Sequence, residues 1–227
     1  MQTAFAPAQP VLLPIAGGSE LFPVRRIYCI GRNYADHARE MGHDPDREPP
    51  FFFQKNPDNL MTGGTFAYPG QSTDVQFEIE LVVALAAGGT DVPASAALAM
   101  VFGYGVGLDM TRRDLQAAAK KMGRPWDAAK AFEGSAPCSP LRRAAEIGHL
   151  SAGAVWLDVN GTRRQTGDLS QMIWTVPEII CELSRFFTLA PGDVIFTGTP
   201  AGVGAIVRGD VMTGGVAGVG QIAVQVT

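Results

Sequence analysis

Glu78 and Glu80 stand two residues apart in the run Val75-Gln-Phe-Glu-Ile-Glu-Leu-Val-Val-Ala-Leu85. The run opens with alternating polar and apolar residues and turns continuously apolar, the pattern of a strand leading from a site into a core. On such a strand both carboxylates point to one face, and Phe77, Ile79 and Leu81 to the other. Adjacent carboxylates repel unless water or a cation separates them, so the pair is either a solvated face or part of a cation site. Asp109 ends a second run, Phe102-Gly-Tyr-Gly-Val-Gly-Leu-Asp109, whose small residues let a backbone or ligand approach closely. Three hard oxygen donors without a nearby Cys or His suit an octahedral Mg2+ or Mn2+ that keeps positions open for substrate and water. Asp109 also precedes a helical pattern and reads as its N-cap, a role compatible with metal ligation.

His37 and Glu40 are three apart on a short helix predicted between Asn33, its N-cap, and Gly42, its stop. That spacing puts them on one face. A carboxylate on one imidazole nitrogen fixes the tautomer and raises basicity at the other, which suits a general base acting on water. The plainer reading is a surface pair.

Other elements must position these groups. Arg26–Ile30 and Phe51–Gln54 are strand candidates, and Asp44–Pro50 is a polar, Pro-rich loop with the composition of a mobile segment. Thr111 and Asp114 predict a capping-box start to a helix through Lys121. Its apolar face would be Leu115, Ala118, Ala119 and Met122, and Gly123 and Pro125 would end it. Val155–Val159 followed by Asn160-Gly161 predicts a tight hairpin. Thr175, Pro177 and Glu178 start another helix, striped by Ile179, Ile180, Leu183, Phe186 and Phe187, and Pro191 to Thr227 reads as strands and turns.

Composition narrows the class. The 27 glycines and 16 prolines in 227 residues disfavour a helical bundle. A formal net charge of −4 argues against binding nucleic acid through bulk phosphate neutralisation. Three cysteines without a Cys-x-x-Cys spacing give neither a disulfide scaffold nor a zinc knuckle. Gly103-x-Gly105-x-Gly107 is one residue short of a dinucleotide fingerprint and lacks its acidic partner. The first residues carry prolines and no early positive charge, so they make no secretory signal, and no apolar run reaches membrane-span length. The expectation is a cytoplasmic protein with an N-terminal arm or edge strand over 1–23 and one domain over 24–227.

Taken in order, Gly31-Arg-Asn-Tyr-Ala-Asp-His-Ala-Arg-Glu40, Phe53-Gln-Lys-Asn-Pro57, Phe77–Leu85, Gly107–Gln116, Ala129–Pro137 and Phe196-Thr-Gly-Thr-Pro-Ala-Gly-Val-Gly204 resemble the fumarylacetoacetate hydrolase family. Asp109-Met-Thr-Arg-Arg-Asp-Leu-Gln116 and Lys120-Lys-Met-Gly-Arg-Pro-Trp126 are most like its short bacterial acylpyruvate hydrolases. The resemblance implies the mixed β-sandwich roll of the family's C-terminal domain, mainly β with short helices (α+β), in a homodimer. It implies Mg2+ or Mn2+ on Glu78, Glu80 and Asp109, a water-activating dyad of His37 and Glu40 on a lid-like segment, and Lys130 against a substrate oxygen. Gln116 matches a substrate-contacting glutamine, and Thr199 a residue lining the same pocket.

Arg32, Arg39, Arg112, Arg113 and Arg124 are candidates to bind a second substrate carboxylate, since guanidinium does so bidentately. Each reads equally as surface charge or a structural salt bridge; Arg32 and Arg113 are placed among the substrate-binding residues, with the arginine that meets a distal carboxylate left open. Lys55 reads as either a further substrate contact or a solvated surface residue. Trp126, Trp156 and Trp174 read as core or interface, and His43 and His149 have no assigned role. The implied activity is hydrolysis of a C–C bond in an acylpyruvate, a small oxo-acid, with fumarylpyruvate expected as the substrate. Decarboxylation of oxaloacetate or a related oxo-acid, or isomerisation, is the alternative from the same site. A non-catalytic binding protein is the remote one.

Overall fold

The computed structural model describes residues 3–40 and 48–227. Within it the strand Ile79–Leu85 is buried at every residue, which requires cover on both faces. Ile79, Leu81, Val83 and Leu85 enter one core, and Val82 and Ala84 enter a second on the opposite face. The strand lies inside a six-stranded mixed sheet ordered Arg142–Arg143, Val101–Leu108, Ile79–Leu85, Asp193–Phe196, Arg26–Gly31 and Phe51–Lys55. Asp193–Phe196 runs parallel to Arg26–Gly31 and antiparallel to Ile79–Leu85. A five-stranded sheet is ordered Thr162–Asp168, Ala154–Val159, Val211–Val216, Gly220–Val226 and Thr65–Phe66. Its Val155, Leu157, Val216 and Val224 share the larger core with the first sheet, giving a mainly β sandwich with short helices.

The second core explains the N-terminal segment. Val11–Pro14 and Leu21–Val24 form an antiparallel hairpin, and its Leu13, Phe22 and Val24 pack with Ile27, Cys29, Val194 and Phe196. From Val11 onward, the expected arm is therefore part of the packed structure.

The strand predicted over Val75–Leu85 is two strands. Val75–Phe77 pairs with Thr111–Arg112 and Gly204–Ala205 in a small sheet, whereas Ile79–Leu85 pairs with Val101–Leu108. Glu78 occupies the break, where its carbonyl accepts the N–H of Asp109 at 2.9 Å.

The helices divide between confirmation and correction. Thr175 and Glu178 form their capping box before the helix Val176–Phe186, with Ile179, Ile180 and Leu183 buried. Phe186 is exposed and does not join the predicted stripe. Asn160 and Gly161, at φ of 51° and 75°, make the predicted hairpin turn. The Thr111–Asp114 box does not form: Thr111 is in a strand and the helix spans Arg113–Met122. Asp114 instead accepts from Ser72 Oγ at 2.6 Å and from the N–H of Thr73 at 2.9 Å. The predicted apolar face of this helix is also overturned, because Ala118 and Met122 are exposed and Gln116 is the buried residue. Its inward face is polar because it covers a polar pocket. Gly123, left-handed at φ of 62°, ends the helix as predicted.

Candidate active site

Three buried carboxylates converge where the sheets meet. Glu78 comes from the break, Glu80 from the strand beyond it, and Asp109 from the end of Val101–Leu108. One oxygen of each lies within 4.8 Å of the others. Glu80 pairs in register with Gly107, where a Cβ would sit 2.5 Å from the Phe196 ring. The glycine-laced run is thus a packing requirement beside the site. Gly198 donates its N–H to Glu80 Oε2 at 2.8 Å. Its φ of 95°, and the 2.6 Å that would separate a Cβ there from Asn33 Cβ, reserve the position for glycine. Asn33 is not the predicted N-cap. Its amide donates to the carbonyls of Trp174 and Thr197 and accepts the N–H of Trp174, and the helix Ala35–Glu40 begins beyond it.

Cations surround the carboxylates unevenly. Lys130 Nζ donates to Glu78 Oε2 and Asp109 Oδ2, both at 2.8 Å. Arg113 donates to Glu78 Oε1 at 2.5 Å, to Gln116 Oε1 at 2.7 Å and to Gln76 Oε1 at 2.9 Å. Glu80 forms no ion pair among the described residues. Burial raises the pKa of both glutamates, but the outcomes diverge. Lys130 and Arg113 outweigh burial at Glu78 and hold its carboxyl well below the usual range. At Glu80, burial together with neighbouring Asp109 and Glu78 pushes the carboxyl well above it. Lys55 is buried, not solvated, and does not line the pocket. Its Nζ lies 2.9 Å from Asp109 Oδ1 and donates to the carbonyls of Lys130 and Met110, so it braces Asp109 within the site.

This donor set fits a hard divalent cation. Glu80 is a buried carboxyl that forms no ion pair among the described residues, and Asp109 Oδ1, although near Lys55, receives no directed hydrogen bond. An all-oxygen triad of this kind matches Mg2+ or Mn2+ chemistry.

His37 Nδ1 lies 3.5 Å from Glu40 Oε2 on the six-residue helix Ala35–Glu40, and Glu40 Oε2 also accepts the N–H of Gly202 at 3.0 Å. His37 is buried at the pocket wall. Burial lowers its pKa, and the nearby Glu78 and Glu40 only partly offset this, so the ring favours its neutral, proton-accepting form. Residues 41–47, including His43 and most of the predicted Asp44–Pro50 loop, lie outside the described residues, as does the Arg39 side chain.

The pocket brings together His37, Glu78, Glu80, Arg113, Gln116, Lys130, Thr199 and Arg32. Thr199 is already committed: its hydroxyl donates to the Ile79 carbonyl and accepts from Gln165 Nε2, each at 2.8 Å. Of the other arginines, Arg112 stacks on Phe132 and donates to the Ala128 carbonyl, and Arg124 borders an adjoining aromatic groove. Sequence reasoning missed Lys120, Phe51 and Phe53 as lining residues. It also misread Trp126, which stands edge-on to Phe51 at 5.4 Å in the pocket wall. Lys120 was recoverable, since it follows Gln116 by one helical turn. Gln165 was missed too, and a lone glutamine in a hairpin strand gives no signal. It is buried, donates to Thr199 and the Pro200 carbonyl, and accepts the N–H of Ile79 between the two glutamates.

A family model described as fumarylacetoacetate (FAA) hydrolase C-terminal matches residues 26–227. The chain belongs to the fumarylacetoacetate hydrolase family. Among its relatives in that family, the fumarylpyruvate hydrolase of a Ralstonia species is 42% identical over 189 residues, covering 82% of this chain and 98% of its own. A mitochondrial oxaloacetate tautomerase of Rattus norvegicus is 42% identical over 195 residues, covering 86% of this chain and 88% of its own. The crystal structure of fumarylpyruvate hydrolase from Pseudomonas aeruginosa in complex with Mn2+ and pyruvate is 52% identical. It covers 100% of this chain and 99% of its own, with a TM-score of 0.98.

Proposed function

We propose that this family member hydrolyses a C–C bond in acylpyruvates, converting fumarylpyruvate and water to fumarate and pyruvate. The observation that carries this reading is one pocket lined by His37, Glu78, Glu80 and Lys130, with Glu40 beside His37 and Asp109 completing the carboxylate triad. Likeness over the full length to a fumarylpyruvate hydrolase supports the choice of substrate.

Glu78, Glu80 and Asp109 are the residues that would hold Mg2+ or Mn2+, a Lewis acid that stabilises negative charge on the oxygens of a 2-oxo-acid. Glu40 accepts a hydrogen bond from His37 Nδ1–H, leaving Nε2 to take a proton from water. The water oxygen bonds to the distal carbonyl carbon, and the bond from that carbon to the pyruvyl methylene breaks. The electron pair leaves with the methylene as an enolate, which takes up a proton to become pyruvate. Lys130 places positive charge beside the developing oxyanion. Gln116, aligned by Arg113, orients the oxo-acid end, Thr199 lines the same pocket, and Arg32 binds from the pocket wall.

The relatives named oxaloacetate tautomerase favour a second reading, tautomerisation or decarboxylation of oxaloacetate. That chemistry shares the enolate but needs no base acting on water, and the fold alone hosts both. We further read the enzyme as a cytoplasmic homodimer in aromatic-compound catabolism, without a nucleic-acid or membrane partner. Buried free thiols at Cys29 and Cys138 support a reducing compartment.

The test is to supply the protein and Mg2+ with fumarylpyruvate, acetylpyruvate and oxaloacetate separately and identify the products. Fumarate and pyruvate in equal amounts are expected. Carbon dioxide from oxaloacetate, with both acylpyruvates untouched, would overturn the reading.

A further inference from the structure

The pocket has two ends of different character. Its floor is formed by buried charges that are paired with one another, Lys130 with Glu78 and Asp109, and Arg113 with Glu78. Its outer part carries Arg32 and Lys120, and neither makes an ion pair among the described residues. Lys120 is exposed, whereas Gln116, four residues earlier on the same helix face, is buried. Lys120 therefore lies about 6 Å farther along the helix axis, at 1.5 Å of rise per residue. Its ammonium stands over the Trp126 ring at 5.2 Å, and the Arg32 guanidinium over the Phe51 ring at 5.3 Å, while the two rings touch edge to face. The aromatic pair thus holds two cations at the pocket opening.

Arg32 has a further peculiarity. It adopts a φ of 57°, uncommon outside glycine, and it follows Gly31, where any Cβ would collide with the Phe51 ring. Backbone strain at this position persists only where the surrounding structure enforces it. The positive charges also act on one another: burial first, then Arg113 and Arg32, lower the pKa of Lys120. An anion between Lys120 and Arg32 would relieve that repulsion.

We propose that Lys120 and Arg32, mounted on Trp126 and Phe51, form a receiving site for the distal carboxylate of a dicarboxylic substrate, making the enzyme selective for diacids over monoacids of equal length. This rests on the reading that an oxo-acid is held at the pocket floor. It deepens that reading by assigning the opposite end of the substrate.

The test separates binding from turnover. 2-Oxoheptanedioate and 2-oxoheptanoate have the seven-carbon length of fumarylpyruvate, lack its cleavable diketone, and differ only in the terminal carboxylate. Their dissociation constants are measured by calorimetry on the Mn2+-loaded protein, for the wild type, Lys120→Met and Lys120→Arg. The wild type should prefer the diacid at least about tenfold, about what one charge-assisted hydrogen bond supplies. Lys120→Met should lose most of that preference, and Lys120→Arg should restore it. An equal preference in wild type and Lys120→Met, or none in the wild type, overturns the proposal. In parallel, the kcat/KM ratio of fumarylpyruvate to acetylpyruvate should fall in Lys120→Met. If the wild type hydrolyses neither acylpyruvate, the hydrolase reading fails while the calorimetry still decides the distal site.

Discussion

The carboxylate triad and the His37–Glu40 dyad reach one pocket, through Glu78 and Glu80 and through His37, but are built differently. Glu78, Glu80 and Asp109 are buried and anchored by neighbouring strands of the central sheet, by Lys130 and by the Gly198 N–H. The dyad rides on a six-residue helix, its internal contact is 3.5 Å long, and the Glu40 side chain is 37% exposed. A cation site needs fixed geometry and buried, uncompensated charge, which strands locked on both faces provide. A base that must meet water and substrate needs access instead. On the proposed roles, the difference makes metal holding and proton transfer separable by mutation.

The largest expected effect breaks the first half of that comparison. Glu80→Ala removes a ligand and should lower turnover at least about a thousandfold, the several kcal/mol that a bound Lewis acid contributes. Calorimetry with Mn2+ should show binding lost as well. His37→Ala isolates the second half. Turnover should fall by about a hundredfold to ten-thousandfold, the usual worth of a general base, with the Mn2+ affinity retained. Loss of metal binding in that variant would deny the separation.

Gln165→Leu probes the frame between the two regions. It strands the Ile79 N–H and frees the Thr199 turn, so thermal unfolding should report a loss of roughly 1–3 kcal/mol. Metal affinity should drop about tenfold to a hundredfold, as for other groups that support ligands. The smallest effect is one of pH. Because burial depresses the His37 pKa below the ordinary 6.5, its base form survives as the pH falls, and the acid limb of kcat/KM should lie below pH 6.5. A limb above that value would remove His37 as the base.

The sequence made the site's ingredients legible more readily than its construction. Glu78, Glu80 and Asp109 were readable because strand periodicity and small residues are local signals. The break at Glu78 was not, because it depends on Thr111–Arg112 and Gly204–Ala205 capturing Val75–Phe77 from far along the chain. Asn33 and Thr111 misled for a related reason. Each has capping chemistry, but tertiary partners claimed it: the Trp174 and Thr197 backbone for Asn33, and a strand for Thr111. Lys55 looked like a surface or substrate lysine and is a buried counter-ion to Asp109, a role that depends on a fold-wide contact. The Asn160-Gly161 hairpin and the Val176–Phe186 helix were legible because their turn and cap residues act on immediate neighbours.

The central claim is that water, activated beside His37, attacks the distal carbonyl of an acylpyruvate. Turnover of fumarylpyruvate with Mn2+ in heavy-oxygen water, followed by mass spectrometry of the products, tests it most directly. One heavy oxygen in the new carboxylate of each fumarate is the predicted result. Unlabelled fumarate, or no fumarate at all, would contradict it.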